Sequence, residues 1–422
     1  MKEDFLHYIW LHKKVNVTQL YTTKGEKIEI LHFGHYLQTS GPDFFNSKII
    51  IDNQQWAGNI EIHVKSSDWY LHNHQKDENY DNVILHIVWE HDIEVFRKDN
   101  SEIPVLELKE CVSKTEVVKY ENLIKTKTWI NCENQITTID DFIFDNWKER
   151  LFFERLERKS NEVLQLLSET KNDWEAVLFC MLAKNFGLNT NGEAFLKIAK
   201  SIPFSTIRKE RISVENLEAL LFGYSNLLEE NYEDEYYIKI VSKWEYLQNK
   251  YALEKIFLEP LQFYKLRPDN FPTIRLAQLA SLYSTIDNVF SKCINLNDKD
   301  KFYRLFSFET NNYWKDHYNF DKKNSTKRKL LSRNFIDLII INTIIPLKFT
   351  YDYYIGKDNI ESILSLIKQI QPEKNAIINK FNSFKIKAND AFDSQSLLQL
   401  KNEYCSKNKC LHCRIGLKLI KN

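Results

Sequence analysis

Glycine and proline are scarce, at 9 and 8 residues of 422, each about 2% where a typical chain has about 7% and 5%. That scarcity argues against a collagen, a glycine-rich sandwich or a low-complexity chain. No Walker-type loop, dinucleotide fingerprint or Gly-x-Ser-x-Gly elbow occurs. A long apolar run is also missing. The charge-free stretch 338–347 has ten residues, and a bilayer span needs roughly 18 to 20, so no membrane association is expected. The opening residues carry acids where a secretory signal carries bases, which makes a cytoplasmic location the expectation. Seven cysteines, an odd number spread over a large chain, do not make a disulfide framework and read as core residues or ligands. Alanine occurs only 12 times while Lys, Asn, Ile, Tyr and Phe abound, so part of the skew reflects nucleotide bias in the gene. With 43% apolar residues, most of the chain can nevertheless bury a core.

The zero net charge conceals a division. Residues 1–110 hold 11 bases and 18 acids, a net of −7, and the remaining 312 residues hold 47 and 40, a net of +7. Bases bunch at Lys322, Lys323, Lys327, Arg328, Lys329 and Arg333, and again in the last 51 residues, which have ten bases and four acids. Such clusters either bind a phosphate backbone or form solvated helix faces. Histidine is segregated too, with nine of eleven before residue 92.

The histidine-rich part reads as an amphipathic helix at 3–13 followed by short, alternating Ile/Val-rich strands at 27–33, 48–52, 59–65, 83–90, 93–97 and 104–108. From residue 113 the period becomes 3.6, with helices expected at 140–167, 173–186, 214–228, 274–283, 329–345 and 359–370, among others. The expected fold is α+β: a mixed α/β domain with a small sheet at 1–112, a linker and junction helix at 113–139, and a large helical domain at 140–422 ending in a Cys-rich tail.

In the strand 59–65 the period of two puts Ile60, Ile62 and Val64 on one face and Glu61, His63 and Lys65 on the other. Upstream, Gly41-Pro42-Asp43-Phe44 supplies an aspartate at a turn leading into a strand. An aspartate followed by an acid and a lysine on the next strand resembles the order in PD-(D/E)XK nucleases. That resemblance implies Mg²⁺ or Mn²⁺ held by Asp43 and by Glu61 or His63, with Lys65 positioning the attacking water. The sequence departs from the motif, because the acid belongs two residues before the lysine and His63 stands there. A surface ion-pair ladder of Glu61 and Lys65 is the plain alternative. His72, His74 and Glu78 form a His-x-His-x3-Glu pattern similar to the first metal motif of cupins, though the glycines and later histidine of that motif are missing. His86 either joins such a site or is a hydrogen-bonded core histidine.

Near the end, Cys405, Cys410 and Cys413 have spacings that suit a tetrahedral Zn²⁺ or, less readily, a corner of an iron–sulfur cluster. Cys132 is the favoured fourth ligand and His412 another candidate; reduced free thiols are the alternative. Some PD-(D/E)XK nucleases fasten a cluster with one distant cysteine and a C-terminal trio, to which this set is loosely similar.

Gly41-Pro42-Asp43-Phe44, the run from Trp56 to Trp69, that from Tyr80 to His86, Arg267-Pro-Asp-Asn-Phe-Pro272, Tyr313-Trp-Lys-Asp-His-Tyr318 and the cysteine trio together resemble a bacterial family known only as a domain of unknown function. The resemblance spans nearly the whole chain and implies no activity. Arg267 and Arg275 are candidate phosphate ligands with Lys327, Arg328 and Lys329, or braces of a helix start. The Tyr313–Tyr318 aromatics stack bases or pack a core. Three functions remain open: a metal-dependent nuclease whose basic helical body holds nucleic acid, a non-catalytic nucleic-acid or protein-binding scaffold, and a His-metal, cupin-like enzyme acting on a small molecule.

Overall fold

The computed structural model describes residues 1–36, 41–124, 128–255 and 257–421. The architecture is α+β: a mixed sheet in the N-terminal part, followed by a mostly helical part. The chain forms two compact units, residues 1–147 with 400–422, and residues 148–399. The Cys-rich tail, continuous in sequence with the helical part, thus packs within the first unit. Among the described residues, no helix is long and apolar enough to cross a membrane.

The first unit opens with helix α1 (Glu3–Leu11), whose Phe5, Leu6, Tyr8, Ile9 and Trp10 are buried. Glu3 and Asp4 sit in its first turn, where the helix dipole favours negative charge. The sheet contains β1 (Ile28–His32), β2 (His35–Tyr36), β3 (Phe44–Ile51), β4 (Gln54–Lys65), β5 (Val83–Glu90) and β6 (Val105–Glu107). Its order is β1-β3-β4-β5-β6, with β2 pairing β3. The pairs β1/β3 and β3/β4 are antiparallel, while β4/β5 and β5/β6 are parallel. Asp52 and Asn53, at φ 46° and 70°, make the two-residue turn between β3 and β4 that two left-handed residues favour.

Parallel strands need a crossover connection. Between β4 and β5 it holds helix α2 (Asp68–Leu71) and returns through His72, His74 and Tyr80 to Val83. Residues 93–97 do not form the expected strand and make only a single bridge, Phe96 to Glu102. Val95 and Arg97 keep backbone bonds to Ile103 and Ser101, while Ile93 N–H donates to Ser66 Oγ, Phe96 N–H to the Tyr70 hydroxyl, and that hydroxyl to Glu94 O.

The second unit is built of helices around one extended core, from Phe152 and Leu156 to Ala391 and Phe392. The hairpin His317–Asn319 with Lys322–Lys323 interrupts the helical pattern. The helix expected at 329–345 begins at Arg333, where Ser332 Oγ caps Phe335 N–H at 3.2 Å. It widens into a π-helical turn at Ile340–Ile344 before continuing through Ile345–Tyr354. Pro346 has no N–H to return to the preceding turn, which accounts for the widening. Trp314 is fully buried, its Nε1 donating to Glu218 Oε1 at 2.8 Å, so this part of the aromatic motif is core.

At Gly223, in the helix Val214–Tyr224, a Cβ would lie 2.1 Å from the Trp244 ring. Gly223→Ala should therefore destabilise the protein by about 1–3 kcal/mol through overpacking. Urea denaturation would check this, and an unchanged midpoint would contradict the close packing.

Candidate functional site

Asp43 ends the Gly41-Pro42-Asp43 turn just before β3. One extra residue sits in β3 between Phe44 and Ser47, with Asn46 at φ 56°, and such bulges re-aim side chains at strand ends. Here Asp43 faces the Glu61–Ile62 peptide of β4. The Asp43 N–H donates to Glu61 Oε2 at 3.1 Å, and Ile62 N–H donates to Asp43 Oδ2 at 3.0 Å. The two acids are thus held together by bonds in both directions.

Imidazoles and a third acid surround this pair. His7 Nε2 of α1 lies 3.1 Å from Asp43 Oδ2. His63 Nε2 lies 3.5 Å from Glu61 Oε1 and 3.9 Å from Glu3 Oε1. The crossover brings His72 Nδ1 to 3.1 Å from His63 Nε2, and His74 Nε2 to 3.4 Å from Glu61 Oε1 without a hydrogen bond. Behind them His63 Nδ1 and His86 Nε2 share a hydrogen bond at 2.8 Å, which orients the His63 ring. Tyr80 stacks on His74 at 3.8 Å, and Trp69 lies against His74 and His86. Glu61 is 5% exposed and His63 1%.

Burial first, and then the Asp43 charge, pushes the Glu61 carboxyl up to about 9. Burial raises Glu3 to about 7 despite His7, with Asp43 adding to the rise. Burial, reinforced by the neighbouring imidazoles, holds His63 far below the usual histidine range, and burial holds His86 down to about 3. His7 goes the other way. Burial opposes its charge, but the Asp43 carboxylate 3.1 Å away prevails and raises it. The result is a set of crowded acids beside neutral imidazoles, and one donor atom each from His63, His72 and His74 lies within 4.8 Å of the others. Carboxylates suit Mg²⁺ and Mn²⁺, and neutral imidazole shifts the preference toward Mn²⁺ or Zn²⁺.

Of the residues singled out in sequence, Asp43, Glu61, His63, His72, His74 and His86 come together. Lys65 does not: 49% exposed, its ammonium sits 3.9 Å from Glu90 at the far end of β4. Glu78 also turns away, paired with Lys98 at 3.1 Å, and the strands form an open mixed sheet rather than a cupin-like barrel. Glu3 and His7 were not singled out, though a Glu and a His four apart on an amphipathic helix was the available signal.

In the second unit, Arg275 is buried, stacked on Phe335 at 3.7 Å and bonded to Gln278 at 2.9 Å, which makes it a brace. Lys329 is buried over Tyr318 at 3.7 Å, Lys327 pairs with Asp269 at 2.6 Å and Arg328 with Glu309 at 3.4 Å, while Arg267 is exposed. Of this basic stretch Lys329 is buried, whereas Lys322, Lys323, Lys327, Arg328 and Arg333 remain exposed. Back in the first unit, Cys132, Cys405, Cys410 and Cys413 line one hollow together.

Residues 3–376 match the family described as a protein of unknown function, DUF2851. The chain belongs to this family. No curated protein and no solved structure matches the chain. In this DUF2851 protein the matched region contains the whole acid–imidazole cluster and Cys132, and it ends before the cysteine trio.

The raised acids set a pH dependence. Folded Glu61 keeps its proton to about 9, whereas an unperturbed glutamate loses it near 4.5. Its contribution to stability is thus complete below about 4.5 and is lost as pH rises toward about 9. A divalent cation displaces that proton, so its binding tightens with pH. The thermal stabilisation given by Mn²⁺ should grow from about pH 6 to about pH 9 and be blunted in Asp43→Asn and Glu61→Gln. Differential scanning fluorimetry across this range would check it, and a pH-independent shift would count against metal at these acids.

Proposed function

We propose that the protein is a divalent-metal-dependent phosphodiester hydrolase acting on nucleic acid, with the metal held by Asp43 and Glu61. The reading is carried by one observation: two carboxylates on adjoining strands, locked by bonds of 3.1 and 3.0 Å, with a neutral histidine two residues after the second. Asp43 and Glu61 would hold the cation, which would supply positive charge to a phosphate and acidify a water. His63 takes the position that lysine holds in the nuclease motif. Kept neutral by burial, its imidazole would be a further ligand for the cation, which an ammonium cannot be. Glu3 lends further negative charge to the cation, and His7 steadies Asp43. An open hollow of about 590 Å³ beside the cluster, lined by His72, Asn73, Lys76, Asp77, Glu78 and Asn79, gives the substrate an approach. Lys65 is left outside the chemistry. The burial of Glu61 and His63 argues against a scaffold whose contact surface is this polar row.

The close grouping of His63, His72 and His74 favours a second reading, an imidazole-bound metal acting on a small phosphoester. Purified full-length protein with Mn²⁺ or Mg²⁺, assayed on DNA, RNA and a small phosphodiester, separates the two. Nucleic acid should be cleaved. Asp43→Asn and Glu61→Gln should abolish cleavage, His63→Ala should lower it by about 10-fold or more, and Lys65→Ala should leave it unchanged. Cleavage of the small ester alone would favour the second reading. Undiminished cleavage of nucleic acid by both acid variants would remove the first reading.

A further inference from the structure

A second, separate cluster of ligand-type side chains lies in the same unit. Cys132 comes from the turn after the α/β region, and Cys405, Cys410 and Cys413 from the tail. All four thiols are free and line the same hollow with Leu123, Asn131 and Gly416. The surrounding bonds draw these segments together. Lys401 Nζ donates to Trp129 O at 3.0 Å, and Asn131 Nδ2 donates to the Cys410 sulfur at 3.4 Å. The knuckle is tight as well: a Cβ on Gly416 would lie 2.1 Å from Cys410 O, so only glycine lets the C-terminal helix Arg414–Lys421 start against Cys410.

Spacing decides what such a site can hold. Four sulfurs on one tetrahedral Zn²⁺, each bonded at about 2.3 Å, stand about 3.8 Å from one another. Among the described residues, no three of these sulfurs come within 4.8 Å of each other. Thiolates that each bind a different iron around a cluster stand farther apart than thiolates sharing one ion.

We propose that Cys132, Cys405, Cys410 and Cys413 bind an iron–sulfur cluster that fastens the tail to the first unit. The ligands are iron and inorganic sulfide, and each thiol releases its proton to solvent as its sulfur binds iron. The cluster's place in the fold gives it a structural role. The turn Cys410–His412 packs on α1, and the C-terminal helix packs on helix α3 (Lys114–Ile124). Leu411 and Ile420 enter the same core as Phe5 and Ile9 of α1, the helix that carries Glu3 and His7. This inference does not depend on the hydrolase reading.

The test is to purify the full-length protein without oxygen from iron-supplied cells and measure iron, acid-labile sulfide and zinc. Iron and sulfide should be present in equal amounts, with a brown colour that is lost in Cys132→Ser and Cys410→Ser and kept in Cys111→Ser. Zinc at one per chain without sulfide overturns the proposal, as does metal-free protein with all four thiols titratable. Colour retained in both ligand variants overturns it equally. Wild-type analysis decides these points even if a ligand variant fails to fold.

Discussion

The reciprocal hydrogen bonds between Asp43 and the Glu61–Ile62 segment are the constraint on which the site depends. They bring two carboxylates together in a place shielded from water, where like charges repel strongly. Each bond satisfies a backbone donor, so the arrangement persists as part of the junction of β3 and β4 rather than as a chance encounter of surface acids. The cost of crowding the acids is met by protonation, by the neighbouring His7, or by a bound cation.

Sheet topology supplies the rest of the site. Because β5 runs parallel to β4, the chain must cross back over the sheet, and that crossover carries His72 and His74 to His63. Tyr80 and Trp69 belong to the same crossover segment and pack against His74 and His86, while His72 stays exposed. Burial then holds His63 and His86 neutral, the form in which imidazole is a ligand or a base. The tail, with its cysteines, shares a core with α1. The segment that holds Glu3 and His7 is therefore supported from the far end of the chain.

Much of this was legible from periodicity. A short Ile/Val-rich run marked 83–90, which the structure reproduces as β5, and alternation put Glu61 and His63 on one face. The change to a 3.6 period marked the helical part. Alternation says nothing, however, about where a side chain bends at the end of a strand. Lys65 shares the face of Glu61, but at the strand's last position its long stem reaches Glu90 in the neighbouring strand. Likewise the spacing of His72, His74 and Glu78 suggests one ligand set, yet the turn at 78–80 carries Glu78 outward to Lys98. The segment 93–97 has strand-like residues, yet side-chain hydroxyls take the Ile93 and Phe96 N–H groups and only a single bridge forms.

The sequence by itself determined the class of fold, the segregation of histidine and acid into the first hundred or so residues, and the two cysteine-bearing segments. These follow from side-chain type and local period, which are properties of short stretches of chain. Only the tertiary structure decided that Glu3 and His7 join Asp43, that His63 rather than Lys65 accompanies Glu61, and that the tail returns to the first unit. Those outcomes depend on contacts between residues far apart in sequence. They are set by the direction of strand pairing and by which apolar faces share a core, and neither is encoded in local spacing.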